Sequence, residues 1–149
     1  MFIRELVVVT DMQECAELVE SNFPGCYDYV LEDLRGSITE RDKSKFFVYE
    51  TDGYIVGLAA VTESPMDFGV YEITWVNVHK GYRGAGIGSA LIKFIIDHVK
   101  SRDQHDLVIL KCRNRTVSFY EKLGFKCLYK KYPFGNLMGI DVRGKKKGK

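Results

Sequence analysis

Hydrophobic positions change their spacing several times along this chain, and each change marks an element. Phe2 to Val9 is rich in β-branched residues and predicts a first strand. Behind Thr10 and Asp11, either of which can cap a helix, Met12, Cys15, Ala16, Leu18 and Val19 recur at helical spacing. Phe23-Pro24-Gly25 breaks that helix. A second follows from Tyr27 to Leu34, with Tyr27, Val30, Leu31 and Leu34 on one face, Asp28, Glu32 and Asp33 elsewhere, and Gly36 as its expected stop.

Phe46 to Glu50 and Tyr54 to Thr62 read as strands around Thr51-Asp52-Gly53, where Asp-Gly is a hairpin signal. The run I-V-G-L-A-A-V within the second is almost wholly apolar and belongs in the middle of a sheet. Ser64 to Gly69 is a loop and Val70 to Val78 the next strand. Ile87, Ala90, Leu91, Phe94, Ile95 and Val99 then form one face of a helix that should bury against the sheet. Asp106 to Lys111 is a strand, so strand, helix and strand imply parallel neighbours joined by a right-handed crossover. Asn114 or Thr116 can cap a short helix that ends near Leu123 at Gly124. Phe125 to Tyr132 and Leu137 to Val142 are strands around a turn at Pro133 to Asn136. The chain is thus of the α/β (mixed α+β) class, with about seven strands and four helices.

At 149 residues and 46% hydrophobic content, one globular domain over residues 1–142 is expected. The last seven residues, from Arg143, hold five basic groups and no acid, so the net charge of +2 conceals a body at −3. That tail, 143–149, is expected to be solvated and disordered. A nucleic-acid partner is not expected; a tail that did bind one would do so with steep salt dependence. No apolar run is long enough to span a membrane, and the N-terminus lacks the marks of a secretory signal, which together predict a soluble cytoplasmic protein. Cys15, Cys26, Cys112 and Cys127 form no C-x-x-C pair, and with His79, His98 and His105 they give no metal-ligand spacing, so free thiols and no metal are expected.

The stretch with chemical content is V-N-V-H-K-G-Y-R-G-A-G-I-G-S-A-L, Val76 to Leu91. It passes from a strand through a glycine turn into a helix. Glycines there let a ligand approach the backbone, and the first N–H groups of a helix have no internal partner. Together they make a concave set of donors at a positive dipole end, suited to a pyrophosphate, with Arg83 supplying a charged fork. A Walker-type loop would need Gly-Lys-Ser/Thr, whereas Gly88 is followed by Ser89 and Ala90. A dinucleotide fingerprint would need a glycine where Ser89 stands, and a loop near the start of the chain.

At Arg83, Gly86 and Gly88 the chain resembles the GNAT superfamily of acetyl-CoA-dependent N-acetyltransferases, whose signature is Arg/Gln-x-x-Gly-x-Gly/Ala between a strand and a helix. Asn114 to Phe125, N-R-T-V-S-F-Y-E-K-L-G-F, is similar to that family's segment carrying an Asn, a catalytic Tyr and a Gly-Phe. The resemblance implies the family's mixed, mostly antiparallel sheet, with two parallel strands splayed into a cofactor cleft. It implies that Arg83, Gly84, Ala85, Gly86, Ile87, Gly88 and Ser89 hold the diphosphate of acetyl-CoA or CoA. The backbone of Val76, Asn77 and Val78 would pair with the pantetheine arm, with the Val78 N–H offered to the acetyl oxygen. Lys80 stands where the family often has proline.

Acetyl transfer requires a neutral amine, a donor for the oxyanion and stabilisation of the leaving thiolate. A lysine-like amine with a pKa near ~10.4 is almost wholly protonated at neutral pH. Glu72 is the candidate base: alternation places it on the face of Thr74, Val76 and Val78, and its position resembles the family's strand-borne glutamate; a solvated charge or an ordered water is the alternative. Tyr120 is the candidate acid, six residues after Asn114, which can hydrogen-bond the pantetheine, cap the helix, or do both. The acceptor groove would be lined by Pro24 to Arg35 and loops near Met66 and Phe134, with Asp28, Glu32 and Asp33 suiting a cationic amine. The expected partners are acetyl-CoA and an amine acceptor, with a homodimer left open. The competing reading is a non-catalytic acyl-CoA-binding or sensing module.

Overall fold

The protein is described here from a computed structural model, in which residues 2–6, 9–38, 44–64, 69–100, 107–131 and 135–142 are described. It divides into two compact units, Met1–Thr62 with Thr74–Phe94, and Glu63–Ile73 with Ile95–Lys149.

In the first unit, β1 (Phe2–Glu5), β2 (Ser44–Thr51) and β3 (Tyr54–Glu63) pair antiparallel, with Phe2 opposite Glu50 and Phe47 opposite Ala59. The hairpin tip has Asp52 at φ 51° and Gly53 at φ 80°, the left-handed pair of a type I′ turn. Seven consecutive residues of β3, Ile55 to Val61, are buried, as expected of an interior strand. The helices α1 (Val9–Asn22) and α2 (Tyr27–Ile38) bury Cys15, Ala16, Val19, Val30 and Leu34 in one core cluster with Phe46, Val48, Leu58 and Ala60.

Three expectations are corrected in this unit. The first strand stops at Glu5 and α1 already begins at Val9, so Thr10 and Asp11 lie inside the first turn and do not cap it. The Asp11 carboxylate is taken by Arg4 Nη1 and Nη2, at 2.7 and 3.1 Å, while Arg4 Nε donates to Glu50 Oε2 at 2.8 Å. Gly36 does not end α2; it is buried within it, and the helix continues to Ile38 with the Ser37 hydroxyl bonded to the Leu34 carbonyl.

β4 (Val70–Val78) and α3 (Ile87–Lys100) run through both units. In the first, α3 closes on β3 at Gly57, where a Cβ would lie 2.8 Å from Ile87 Cγ2, 3.0 Å from Leu91 Cδ1 and 3.1 Å from Tyr49 Cβ. Glycine is required by this close approach. The Phe94 ring meets Phe47 edge-on at 5.2 Å.

In the second unit, β5 (Leu107–Cys112) runs parallel to β4, with Val70 to Ile73 opposite Leu107 to Leu110. Next come α4 (Val117–Lys122), β6 (Lys126–Lys131) and β7 (Gly135–Asp141), with β7 antiparallel to both β5 and β6. The expected turn at Pro133 to Asn136 is shorter on its far side, because Gly135 and Asn136 already pair in β7. Among the described residues, seven strands follow the order β1-β2-β3-β4-β5-β7-β6, giving the expected mixed sheet with four helices. Among the described residues, no helix is long and apolar enough to cross a membrane.

Candidate cofactor loop and catalytic residues

β4 leads into a 3-10 turn at Lys80–Tyr82 that the sequence pattern did not distinguish from the glycine turn. The His79 N–H donates to the Val56 carbonyl at 2.8 Å, anchoring the turn to β3, and His79 Nδ1 accepts the Gly81 N–H at 3.0 Å. That acceptor role requires the neutral ring to carry its proton on Nε2. Tyr82 N–H closes the turn on the His79 carbonyl at 2.9 Å.

Gly84 and Gly86 both have φ 82°, and a Cβ on either would meet nothing within 4 Å. Backbone sign, not crowding, selects glycine here, and the space beside the main chain is open. The first helical bond of α3 runs from Ala90 N–H to the Gly86 carbonyl at 3.0 Å. Gly86, Ile87, Gly88 and Ser89 therefore supply the N–H groups that helix geometry leaves without an internal acceptor. Ala85 is exposed between them, whereas the Ile87 side chain is buried under Gly57, so Ile87 can serve a ligand only through its backbone.

Arg83 is held by its surroundings. Its Nε donates to the Val78 carbonyl at 3.3 Å and its Nη2 to Asn22 Oδ1 at 2.9 Å. Asn22, the last residue of α1, was not singled out in the sequence; its only local signal is an amide at a helix end, which says nothing about a partner 61 positions away. Its Nδ2 donates to Asn77 Oδ1 and to the Val78 carbonyl, both at 3.1 Å. Asn77 is 3% exposed and its Nδ2 donates to the Trp75 carbonyl at 3.2 Å, so its side chain is not available to a ligand.

Trp75, at φ 55°, interrupts the extended backbone of β4. The face assigned to Glu72 by alternation therefore extends to Thr74 but does not carry across Trp75 to Val76 and Val78. Val76 and Val78 are half-buried. Glu72, in the second unit, is half-buried opposite Ile109 in the parallel ladder.

Also in the second unit, Tyr120 is 8% exposed, with its ring edge-on to Phe119 at 4.9 Å and to Phe125 at 5.9 Å. Burial, with a smaller contribution from Cys112, pushes the phenol pKa up to about 12. The turn after α4 explains the Gly-Phe of the motif. Gly124 sits at φ 102°, its N–H bonds the Glu121 carbonyl at 3.0 Å, and the Phe125 N–H bonds the Tyr120 carbonyl at 3.1 Å. These two bonds form a Schellman closure, with Gly124 as its left-handed residue.

Neither expected cap of α4 forms. The Thr116 hydroxyl turns back to the Arg113 carbonyl at 3.0 Å, and Asn114 Oδ1 accepts from Asn136 Nδ2 at 2.8 Å. Asn136, 2% exposed, also reaches the Cys112 carbonyl at 3.4 Å and so fixes Asn114 against the end of β5. Asp28, Glu32 and Asp33 are exposed on α2, and Asp33 Oδ2 accepts the Trp75 indole N–H at 2.8 Å. Met66, Phe134 and the tail 143–149 lie outside the described residues.

Comparison with known proteins agrees with the fold. Residues 12–125 match the model of the Acetyltransferase (GNAT) family. Over 87 residues the chain is 37% identical to a glucosamine 6-phosphate N-acetyltransferase of Trypanosoma brucei brucei, covering 56% of this chain and 58% of that protein. Over 112 residues it is 26% identical to N-acetyltransferase family 8 member 2 of Rattus norvegicus, covering 68% of this chain and 50% of that one. These two matches span about half the length of each relative. In three dimensions it is similar to an aminoglycoside 6'-N-acetyltransferase complexed with coenzyme A, with a TM-score of 0.82 at 16% identity over 97% of this chain and 99% of the other. The family match extends from within α1 to Phe125 and takes in the glycine loop and the Tyr120 segment together, so this chain belongs to the GNAT acetyltransferase family.

Proposed function

We propose that this chain transfers an acetyl group from acetyl-CoA to a primary amine by direct attack, with both reactants bound together. The observation that carries this reading is the open backbone at Gly84 and Gly86, immediately before a helix start that presents free N–H groups. Such a cradle suits a diphosphate. The named relatives act on chemically different amines, a glucosamine phosphate and an aminoglycoside, so the shared feature carried over is the amine alone. Residues 1–142 act as one catalytic domain in this reading, supported by a family match that runs unbroken through both compact units. Four free thiols fit a reducing cytoplasm.

Arg83 and the main chain from Gly84 to Ser89 bind the diphosphate, and the backbone of Val76 to Val78 lines the pantetheine arm. The Val78 N–H supports the developing oxyanion, a contribution on the order of 3 kcal/mol. Asn114, with its oxygen occupied by Asn136, has its Nδ2 left to donate to the arm. Glu72, directly or through a water, takes the proton of the amine.

Tyr120 serves the departing sulfur. A phenol held at about 12 keeps its proton at neutral pH. Against a thiol of pKa ~8.5, complete proton transfer is uphill, so hydrogen-bond donation is the larger part of its role.

The test is release of CoA thiol from acetyl-CoA with a panel of amines, repeated with Tyr120→Phe. Turnover with at least one amine, lowered in the variant, supports the reading. Tight acetyl-CoA binding with no release from any amine would favour a sensing module, and absence of binding would end both readings. Sedimentation of the same material decides between monomer and homodimer.

A further inference from the structure

We infer that Asn22, which lies outside both motifs, is a positioning residue for the cofactor loop and acts through Arg83. The inference rests on the reading that this loop binds the diphosphate of CoA. The Asn22 amide makes three bonds in one place: Nδ2 to Asn77 Oδ1 and to the Val78 carbonyl, both 3.1 Å, and Oδ1 from Arg83 Nη2 at 2.9 Å. Arg83 Nε closes the ring on the same Val78 carbonyl at 3.3 Å.

The orientation of the amide is dictated by its partners. Reversal would turn its NH2 toward a guanidinium and its oxygen toward two acceptors. Asn77 cannot compensate by reversing in turn, because its own Nδ2 is committed to the Trp75 carbonyl at 3.2 Å.

The consequence falls on an exposed, flexible side chain. Arg83 is exposed, yet it is held before any ligand arrives, so binding loses less side-chain freedom. The two contacts use Nε–H and one Nη2–H, leaving Nη1 and the second Nη2–H outside this network for an anion. A plain staple between α1 and β4 would stabilise the fold equally well but would not discriminate between ligands with and without a diphosphate.

That difference is the test. Affinity is measured for wild type, Asn22→Ala, Arg83→Ala and the double variant, with acetyl-CoA by calorimetry and acetyl-pantetheine by NMR titration. Asn22→Ala is expected to bind acetyl-CoA about tenfold more weakly, the scale of one lost hydrogen bond. Its affinity for acetyl-pantetheine, which lacks the diphosphate, should be unchanged, and in the Arg83→Ala background the Asn22 change should cost nothing more. Equal losses for both ligands, or additive losses in the double variant, would overturn the inference and leave a structural staple. If circular dichroism shows Asn22→Ala unfolded, Asn22→Ser takes its place with the same expectation. Failure of the wild type to bind acetyl-CoA would instead overturn the cofactor reading, and that result appears before any variant is compared.

Discussion

The Trp75 indole N–H donates to Asp33 Oδ2 at 2.8 Å, joining β4 to α2 at a residue whose φ is 55°. A left-handed conformation costs a side chain such as tryptophan about 1–2 kcal/mol. The cost is offset here by the Asp33 bond and by packing against the α1–α2 core cluster. Trp75→Phe keeps most of the packing and loses the bond. It should lower unfolding stability by about 1 kcal/mol, read as a smaller urea midpoint at unchanged slope.

Gly57→Ala should destabilise more. The new methyl would meet Ile87 Cγ2 at 2.8 Å and Tyr49 Cβ at 3.1 Å, neither of them the free end of a flexible chain. Overpacking of this kind costs about 1–3 kcal/mol, a fall of several degrees in Tm on a thermal melt.

Gly124→Ala places a Cβ at φ 102° and 3.0 Å from Ile140 Cδ1. It should cost about 1–2 kcal/mol. Because the Schellman closure also holds the Tyr120 carbonyl, turnover should fall further than the stability loss explains; equal activity per folded molecule would contradict this.

Alkaline stability reports on Tyr120. Its folded pKa of about 12 lies above the usual 10, so between these values the unfolded chain loses a proton that the folded chain keeps. Stability therefore falls as pH rises through that window. Tyr120→Phe should flatten this fall in melts between pH 9 and ~11.5 relative to wild type.

Much of the fold could be read from spacing. The Asp52-Gly53 turn, the buried run of β3 and the extent of β4 follow from turn chemistry and apolar patterning, and these are local properties of the chain. The errors have a common origin in distant partners. Asp11 resembles a cap until Arg4 takes its carboxylate, and Asn114 does too until Asn136 occupies its oxygen. The glycine loop was legible because its backbone demand is written in glycines. Asn22 was not, because one amide bonding across 55 to 61 positions leaves no local pattern.

The Phe125 N–H reaches back to the Tyr120 carbonyl across a fixed five-residue span. One extra residue inserted in α4 ahead of Tyr120 would swing the phenol about 100° around the helix axis. Length is therefore constrained in this segment, whereas a residue added at the exposed Asp52-Gly53 tip would leave the register of the Tyr120 helix unchanged.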